Sequence, residues 1–105
     1  MIICKLKHLK IYQKKHKIIF LYFYGDWCDT ITHKIDSFFK EKYDLNKIYI
    51  KVPVDKGKSI LNAYDITSYP IINIYEFDTL LSTLYCNCHD ILTKINIVYN
   101  NIWNE

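Results

Sequence analysis

The sequence predicts an α/β domain: a mixed sheet of four or five strands with helices on both faces, formed by residues 1–105 as a single unit. Three observations carry this. Ile18 to Tyr24 is an unbroken apolar and aromatic run, the pattern of a central strand buried on both sides. Two segments repeat apolar residues at three- and four-residue spacing, the pattern of amphipathic helices: Ile31, Ile35, Phe38, Phe39 and Tyr43, then Ile91, Ile95, Val98 and Ile102. Strand-type and helix-type segments alternate along the chain before it closes with a hairpin and a last helix.

In chain order, Ile2 to Cys4 reads as a short strand. A Lys-rich helix follows, with Leu6, Leu9 and Tyr12 or Gln13 on one side. After the Ile18–Tyr24 strand, Asp29 or Thr30 stands near the start of the next helix. Lys47 to Val54 alternates and is β-branched, so it reads as a second strand, and Pro53 either ends it or sits where its N–H is not needed. Asp55 to Lys58 turns, and Ser59 can cap a short helix through Tyr64. Ile66 to Pro70 is a loop running straight into a third strand, Ile71 to Tyr75. Glu76 to Thr79 then turns the chain into Leu80–Tyr85, which makes a hairpin. Strands separated by helices are expected to be parallel with right-handed crossovers, and the hairpin to supply an antiparallel edge.

Composition limits the function classes. Half of the residues are apolar and Gly and Pro are scarce, so the chain has the makings of one ordinary core. The 18 Ile, 14 Lys and 10 Tyr, with one Ala and no Arg, reflect an AT-rich coding bias, and single Lys or Tyr residues carry little functional weight. Much of the net charge of +3 lies in residues 1–17. Without Arg there is no bidentate fork for guanine or phosphate, so specific nucleic-acid binding is not expected and this segment reads as a solvated helix face. No run approaches the ~18–20 apolar residues of a membrane span. No signal-peptide pattern is present, and the cytoplasm is the expected compartment, with an organelle as the alternative. The four cysteines, Cys4, Cys28, Cys86 and Cys88, sit in a core-rich chain and read as thiols rather than a disulfide framework.

The chemistry-bearing stretch is Tyr24-Gly25-Asp26-Trp27-Cys28-Asp29. It ends a buried strand and begins a helix, so Cys28 faces the unpaired N–H groups and positive dipole end that stabilise a thiolate. Asp29 opposes that effect. Cys86-Asn87-Cys88-His89 offers three metal-ligand types, but a structural zinc wants four, so no metal site is assigned. His8, His16 and His33 read as solvated surface and Cys4 as a small buried residue.

With these segments in order, the chain resembles the thioredoxin family over roughly Ile18 to Trp103. The resemblance rests on Asp26-Trp27-Cys28 after the first long strand, on Lys51-Val52-Pro53-Val54-Asp55, and on Tyr64-Asp65-Ile66-Thr67-Ser68-Tyr69-Pro70. It implies a thioredoxin fold and a cis Pro70 beside Cys28. It also implies a substrate-binding surface made by Trp27, Tyr69, Pro70 and Tyr85, with Cys28 as the nucleophile. No cofactor is implied, and the partners would be protein thiols or disulfides.

The departures define the question. The family motif is Cys-x-x-Cys, and here it reads Cys28-Asp29-Thr30-Ile31. The family's buried Asp corresponds to Tyr22. A mixed disulfide on Cys28 therefore lacks the neighbour that normally releases it. Three readings compete. Cys28 acts as a lone thiol, making the protein a thiol-disulfide oxidoreductase with an incomplete motif. Alternatively Cys86, which the resemblance sets on the substrate-binding surface, acts as a resolving thiol. In the third, the fold is kept as a redox-inactive interaction module for a protein partner or larger assembly, as in spliceosomal thioredoxin-like proteins.

Overall fold

Strand β1 (Ile18–Tyr24) is the centre of the molecule. In the computed structural model, which describes residues 1–42, 47–87 and 89–103, only its last residue is not fully buried. Tyr43, Cys88 and the side chains of Ile102 and Trp103, all named above, lie outside that description.

Three further strands, β2 (Lys47–Pro53), β3 (Ile71–Glu76) and β4 (Thr79–Tyr85), complete a four-stranded sheet in the order β2-β1-β3-β4. β2 runs parallel to β1 with Ile18 opposite Lys47. β3 runs antiparallel to β1 with Phe23 opposite Ile71, and β4 is antiparallel to β3. The helices are α1 (Leu6–Lys15), α2 (Asp29–Glu41), α3 (Lys58–Ala63) and α4 (Ile91–Trp103).

The direction of β3 corrects the expectation that every strand after a helix is parallel to the last. Helix length explains it. The 13 residues of α2 rise about 20 Å, close to the ~23 Å of a seven-residue strand, so the chain returns to the starting end and β2 is parallel. The 6 residues of α3 rise only about 9 Å, so the chain re-enters the sheet from the end it left and β3 is antiparallel.

Local details differ as well. Ile2 makes a single parallel bridge to Lys51 rather than a strand, with the Ile3 amide donating to the Lys51 carbonyl at 3.0 Å. Cys4 is half-buried. Cys28 occupies the N-cap of α2, with Asp29 and Thr30 as its first residues, and Gly57 that of α3, in place of Ser59. Neither cap uses a side-chain hydrogen bond, because each helix starts from a preceding tight turn: the Cys28 amide donates to the Gly25 carbonyl and the Gly57 amide to Pro53. A Cβ on Gly57 would run into the Val52 side chain, so the turn needs glycine for that close approach. His16 is not a solvated residue: it stacks on Tyr12, and its Nδ1 is buried.

The alternation of β1 divides the core into two layers. Ile19, Leu21 and Phe23 point to a layer closed by α1 and α3, through Leu9 and Ile60. Ile18, Phe20 and Tyr22 point to a layer closed by α2 and α4, through Ile35, Ile91, Ile95 and Tyr99. Helices thus cover both faces. Among the described residues no helix is long and apolar enough to cross a membrane.

Candidate active site

β1 delivers its chain to one end of the sheet, where Gly25 leads into a single 3-10 turn, Asp26–Cys28. The turn closes when the Cys28 amide donates to the Gly25 carbonyl at 3.0 Å, and α2 starts from it. This geometry sets Trp27 and Cys28 in opposite environments. Trp27 is 70% exposed and its indole folds back over Gly25, where a Cβ would collide with the six-membered ring. Cys28 is only 4% exposed, at the N-terminus of α2.

The loop before β3 reaches the same place. The Tyr69–Pro70 peptide bond is cis, and the Tyr69 ring lies 5.9 Å from that of Trp27. The Cys86 amide donates to the Pro70 carbonyl at 3.1 Å, which fastens the residue after β4 to this loop. Two depressions meet here, sharing Pro70 and Asn87. One, of about 490 Å³, is lined by Trp27, Cys28, Thr30, Ile31, Lys34, Cys86 and His89; the other, of about 460 Å³, by Thr67, Ser68, Tyr69, Ile71 and Tyr85. Tyr85 stands 61% exposed on the rim. Trp27, Cys28, Tyr69, Pro70, Tyr85 and Cys86 therefore occupy one continuous groove.

Cys4, Cys28 and Cys86 are thiols rather than disulfide sulfurs. The Cys86 thiol, 2% exposed, donates a long hydrogen bond to the Leu84 carbonyl at 3.6 Å. Beneath the groove lies Tyr22, whose hydroxyl shares a 2.8 Å hydrogen bond with Thr32 Oγ1 and whose ring stacks on Tyr24. Burial pushes the Tyr22 hydroxyl well above the usual tyrosine range, and the thiols of Cys86 and Cys28 add to the rise. Tyr22 is thus a neutral hydroxyl that keeps its proton. It cannot do the work of a carboxylate that accepts one.

Sequence spacing missed several groups. Asn87 and His89 line the groove from beyond β4. Asp36 on α2 accepts from Tyr49 at 2.8 Å and pairs with Lys51 at 3.0 Å, joining α2 to β2 beside Tyr22. Burial, and then the bond to Asp36, push the Tyr49 hydroxyl far above its ordinary value. The signal for this pair was present in part: Tyr49 and Lys51 lie two apart in a strand and so share a face, but nothing in the spacing named Asp36 as their partner. Among the described residues no group of three or more His, Cys, Asp or Glu side chains is gathered as a metal site would need.

No protein-family model matches the chain. Thioredoxin 2 of Plasmodium falciparum (isolate 3D7) is 33% identical to it over 70 residues, which are 65% of this chain and 45% of that protein. The chain thus matches less than half the length of this relative. Among solved structures, a thioredoxin of Entamoeba histolytica superposes with a TM-score of 0.79 at 19% identity, covering 93% of this chain and 97% of that one. The thioredoxin of Fasciola hepatica gives 0.77 at 20% identity, covering 95% and 96%. The oxidised thioredoxin of Plasmodium falciparum gives 0.76 at 22% identity, covering 93% and 95%. At these identities the structural likeness concerns the fold.

Proposed function

We propose that this chain, which has the thioredoxin fold and is similar in sequence to a thioredoxin, exchanges disulfides with protein substrates through Cys28 as a single thiol at the start of α2. The observation that carries this reading is the position of Cys28. Its thiol lies at the N-terminus of α2 in the wall of a groove whose rim is formed by the exposed rings of Trp27, Tyr69 and Tyr85. Such a groove suits an extended peptide, with aromatic rings to hold its side chains and the backbone of the Tyr69–Pro70 loop to pair with its own.

In the reaction the Cys28 thiolate attacks one sulfur of the substrate disulfide. The Cys28–substrate S–S bond forms as the substrate S–S bond breaks, and the second substrate sulfur leaves as a thiolate. A further thiol then attacks the mixed disulfide and frees Cys28. With Ile31 at the position three residues on, that thiol does not come from the start of α2. The α2 N-terminus offers its unpaired N–H groups to the anion at each step.

Insulin reduction in the presence of dithiothreitol tests the reading. The protein should accelerate it, and Cys28→Ser should return the rate to that of dithiothreitol alone. After exposure to glutathione disulfide, mass spectrometry should find the added mass on the Cys28 peptide. An undiminished rate in Cys28→Ser would overturn the proposal. The burial of Cys28 favours a second reading, a redox-inactive interaction module that presents this groove to a protein partner. In that case Cys28→Ser would leave partner binding unchanged and no disulfide exchange would be found in either protein.

A further inference from the structure

We propose that Cys86 is the second thiol of the site: it attacks the mixed disulfide on Cys28 and closes a Cys28–Cys86 disulfide across the groove. This rests on the reading of Cys28 as nucleophile and goes beyond it, since it gives the protein its own means of releasing substrate.

Four observations converge. Cys28 and Cys86 line the same groove, reached from different elements, one at the start of α2 and one just past β4. Backbone contact holds Cys86 in that position, because its amide donates to the Pro70 carbonyl at 3.1 Å and Pro70 lines the groove too. Cys86 packs in the same buried cluster as Tyr22, which lies two residues from the end of the strand that leads into the Cys28 turn. Finally, the hydrogen bond from the Cys86 thiol to the Leu84 carbonyl is long, 3.6 Å, and S–H is a weak donor. A protein disulfide asks for Cα atoms within about 7 Å, and that is the approach the two residues must make for the bond to close.

A packing role alone asks only for a small apolar side chain at position 86, which is buried in the core cluster. A thiol in the wall of a groove that already holds a nucleophilic thiol has a chemical use.

The electrons balance without an added oxidant. Cys28 and Cys86 enter as two thiols and the substrate enters as a disulfide. Cys28 takes one substrate sulfur and expels the other as a thiolate. Cys86 then loses its proton to solvent and attacks Cys28 Sγ, expelling the remaining substrate sulfur. Two electrons have passed to the substrate, which leaves as two thiols, and the protein holds one disulfide. A small dithiol such as dithiothreitol returns it to the starting state.

The test uses the full chain with Cys4→Ser and Cys88→Ser, so that only the two groove thiols remain, and one molar equivalent of 5,5′-dithiobis(2-nitrobenzoate). Attack by Cys28 releases one thionitrobenzoate, and attack by Cys86 on the adduct releases the second. The expected result is two thionitrobenzoates per protein, no retained adduct, and a Cys28–Cys86 cross-link in the peptide map. With Cys86→Ser added, and equally with Cys86→Ala, release should halve to one and the adduct should persist on Cys28. Circular dichroism would confirm that each variant is folded. If the parent and both Cys86 variants retain the adduct on Cys28 alike, the role of Cys86 is overturned while Cys28 keeps its own. If folded Cys86 variants take no adduct on Cys28, the reading of Cys28 fails as well.

Discussion

The two sides of β1 are built from different materials. Toward α1 and α3 the core is mainly aliphatic: Leu9, Ile19, Leu21, Ile50, Val52 and Ile60 are buried there, with Phe23 and Tyr75 among them. Toward α2 and α4 the buried isoleucines are joined by a larger group of rings. Phe20 lies 5.0 Å from Phe39 and 5.6 Å from Tyr99, and Tyr49 stacks on Phe39 at 4.2 Å with the planes 8° apart. Aliphatic packing is non-directional and tolerates exchange among residues of similar volume. Aromatic pairs prefer particular geometries, and tyrosines add a hydroxyl that needs a partner. The aromatic side is also the one that holds Cys86 and runs under the groove through Tyr22. The layer that must hold the site in place is therefore the layer with the more directional contacts.

The largest effect expected from this contrast is on stability. Phe20 and Phe23 are both fully buried in the same strand, one on each side. Replacing either with Ala should cost about 3–5 kcal/mol, because a large cavity is left. Phe20→Ala should cost more, by ~0.5–1.5 kcal/mol for each aromatic pair it breaks. Urea unfolding of the two variants measures the difference. Equal losses would break the comparison and reduce both layers to simple apolar burial.

A second effect appears at high pH. The hydroxyls of Tyr22 and Tyr49 are held above the ordinary tyrosine value, first by burial. Above about pH 10 the unfolded chain loses these protons while the folded chain keeps them. The folded state then binds more protons, so stability that is complete below pH 10 falls as pH rises further, by up to about 1.4 kcal/mol per pH unit for each tyrosine. Tyr22→Phe should lose about 0.5–1.5 kcal/mol at pH 7 with its bond to Thr32, yet flatten the alkaline slope. Tyr75, on the other side, is also raised by burial, and its bond to Asn73 opposes the rise as the Thr32 bond does at Tyr22, but only Tyr64 adds to the rise where Cys86, Cys28 and Asp36 add to it at Tyr22. Tyr75→Phe should flatten the slope less. Denaturation midpoints between pH 9 and 11 give both slopes, and a steeper relief from Tyr75→Phe would contradict the contrast.

The layers themselves were legible in the sequence, because apolar periodicity is a direct record of burial: the unbroken run Ile18–Tyr24 and the repeats in α2 and α4 could be read as they stand. The direction of β3 was not, since periodicity says which face a residue takes and nothing about which way a strand runs. It followed instead from the shortness of α3. At the site, Trp27 and Cys28 are adjacent in sequence, and the Tyr69–Pro70 segment carries its own pattern, so both could be found from spacing. Asn87 and His89 reach the groove from the far side of the hairpin, and Asp36 meets Tyr49 and Lys51 across an element boundary. Such pairings depend on how elements dock, which single-sequence spacing does not record.

The smallest expected effect on stability separates the groove rim from both core layers. Gly25 leads from β1 into the turn, and a Cβ there would collide with the Trp27 indole. Within either core layer such a collision would push against packed neighbours and cost ~1–3 kcal/mol. Trp27, however, is largely exposed, and its ring can swing outward into solvent. Gly25 also has an extended backbone, with φ of −113°, which alanine adopts without strain. Gly25→Ala should therefore change unfolding free energy by less than about 1 kcal/mol, within the range of surface substitutions with modest contacts. The ring that leaves Gly25 also loses its place beside Tyr69, so the rim opens. With Trp103→Phe as background, Trp27 emission should shift to the red, and disulfide exchange at Cys28 should slow even though the fold is intact. A large stability loss with unshifted emission would mean that the indole is held as firmly as a core ring, and the distinction between rim and core would fail.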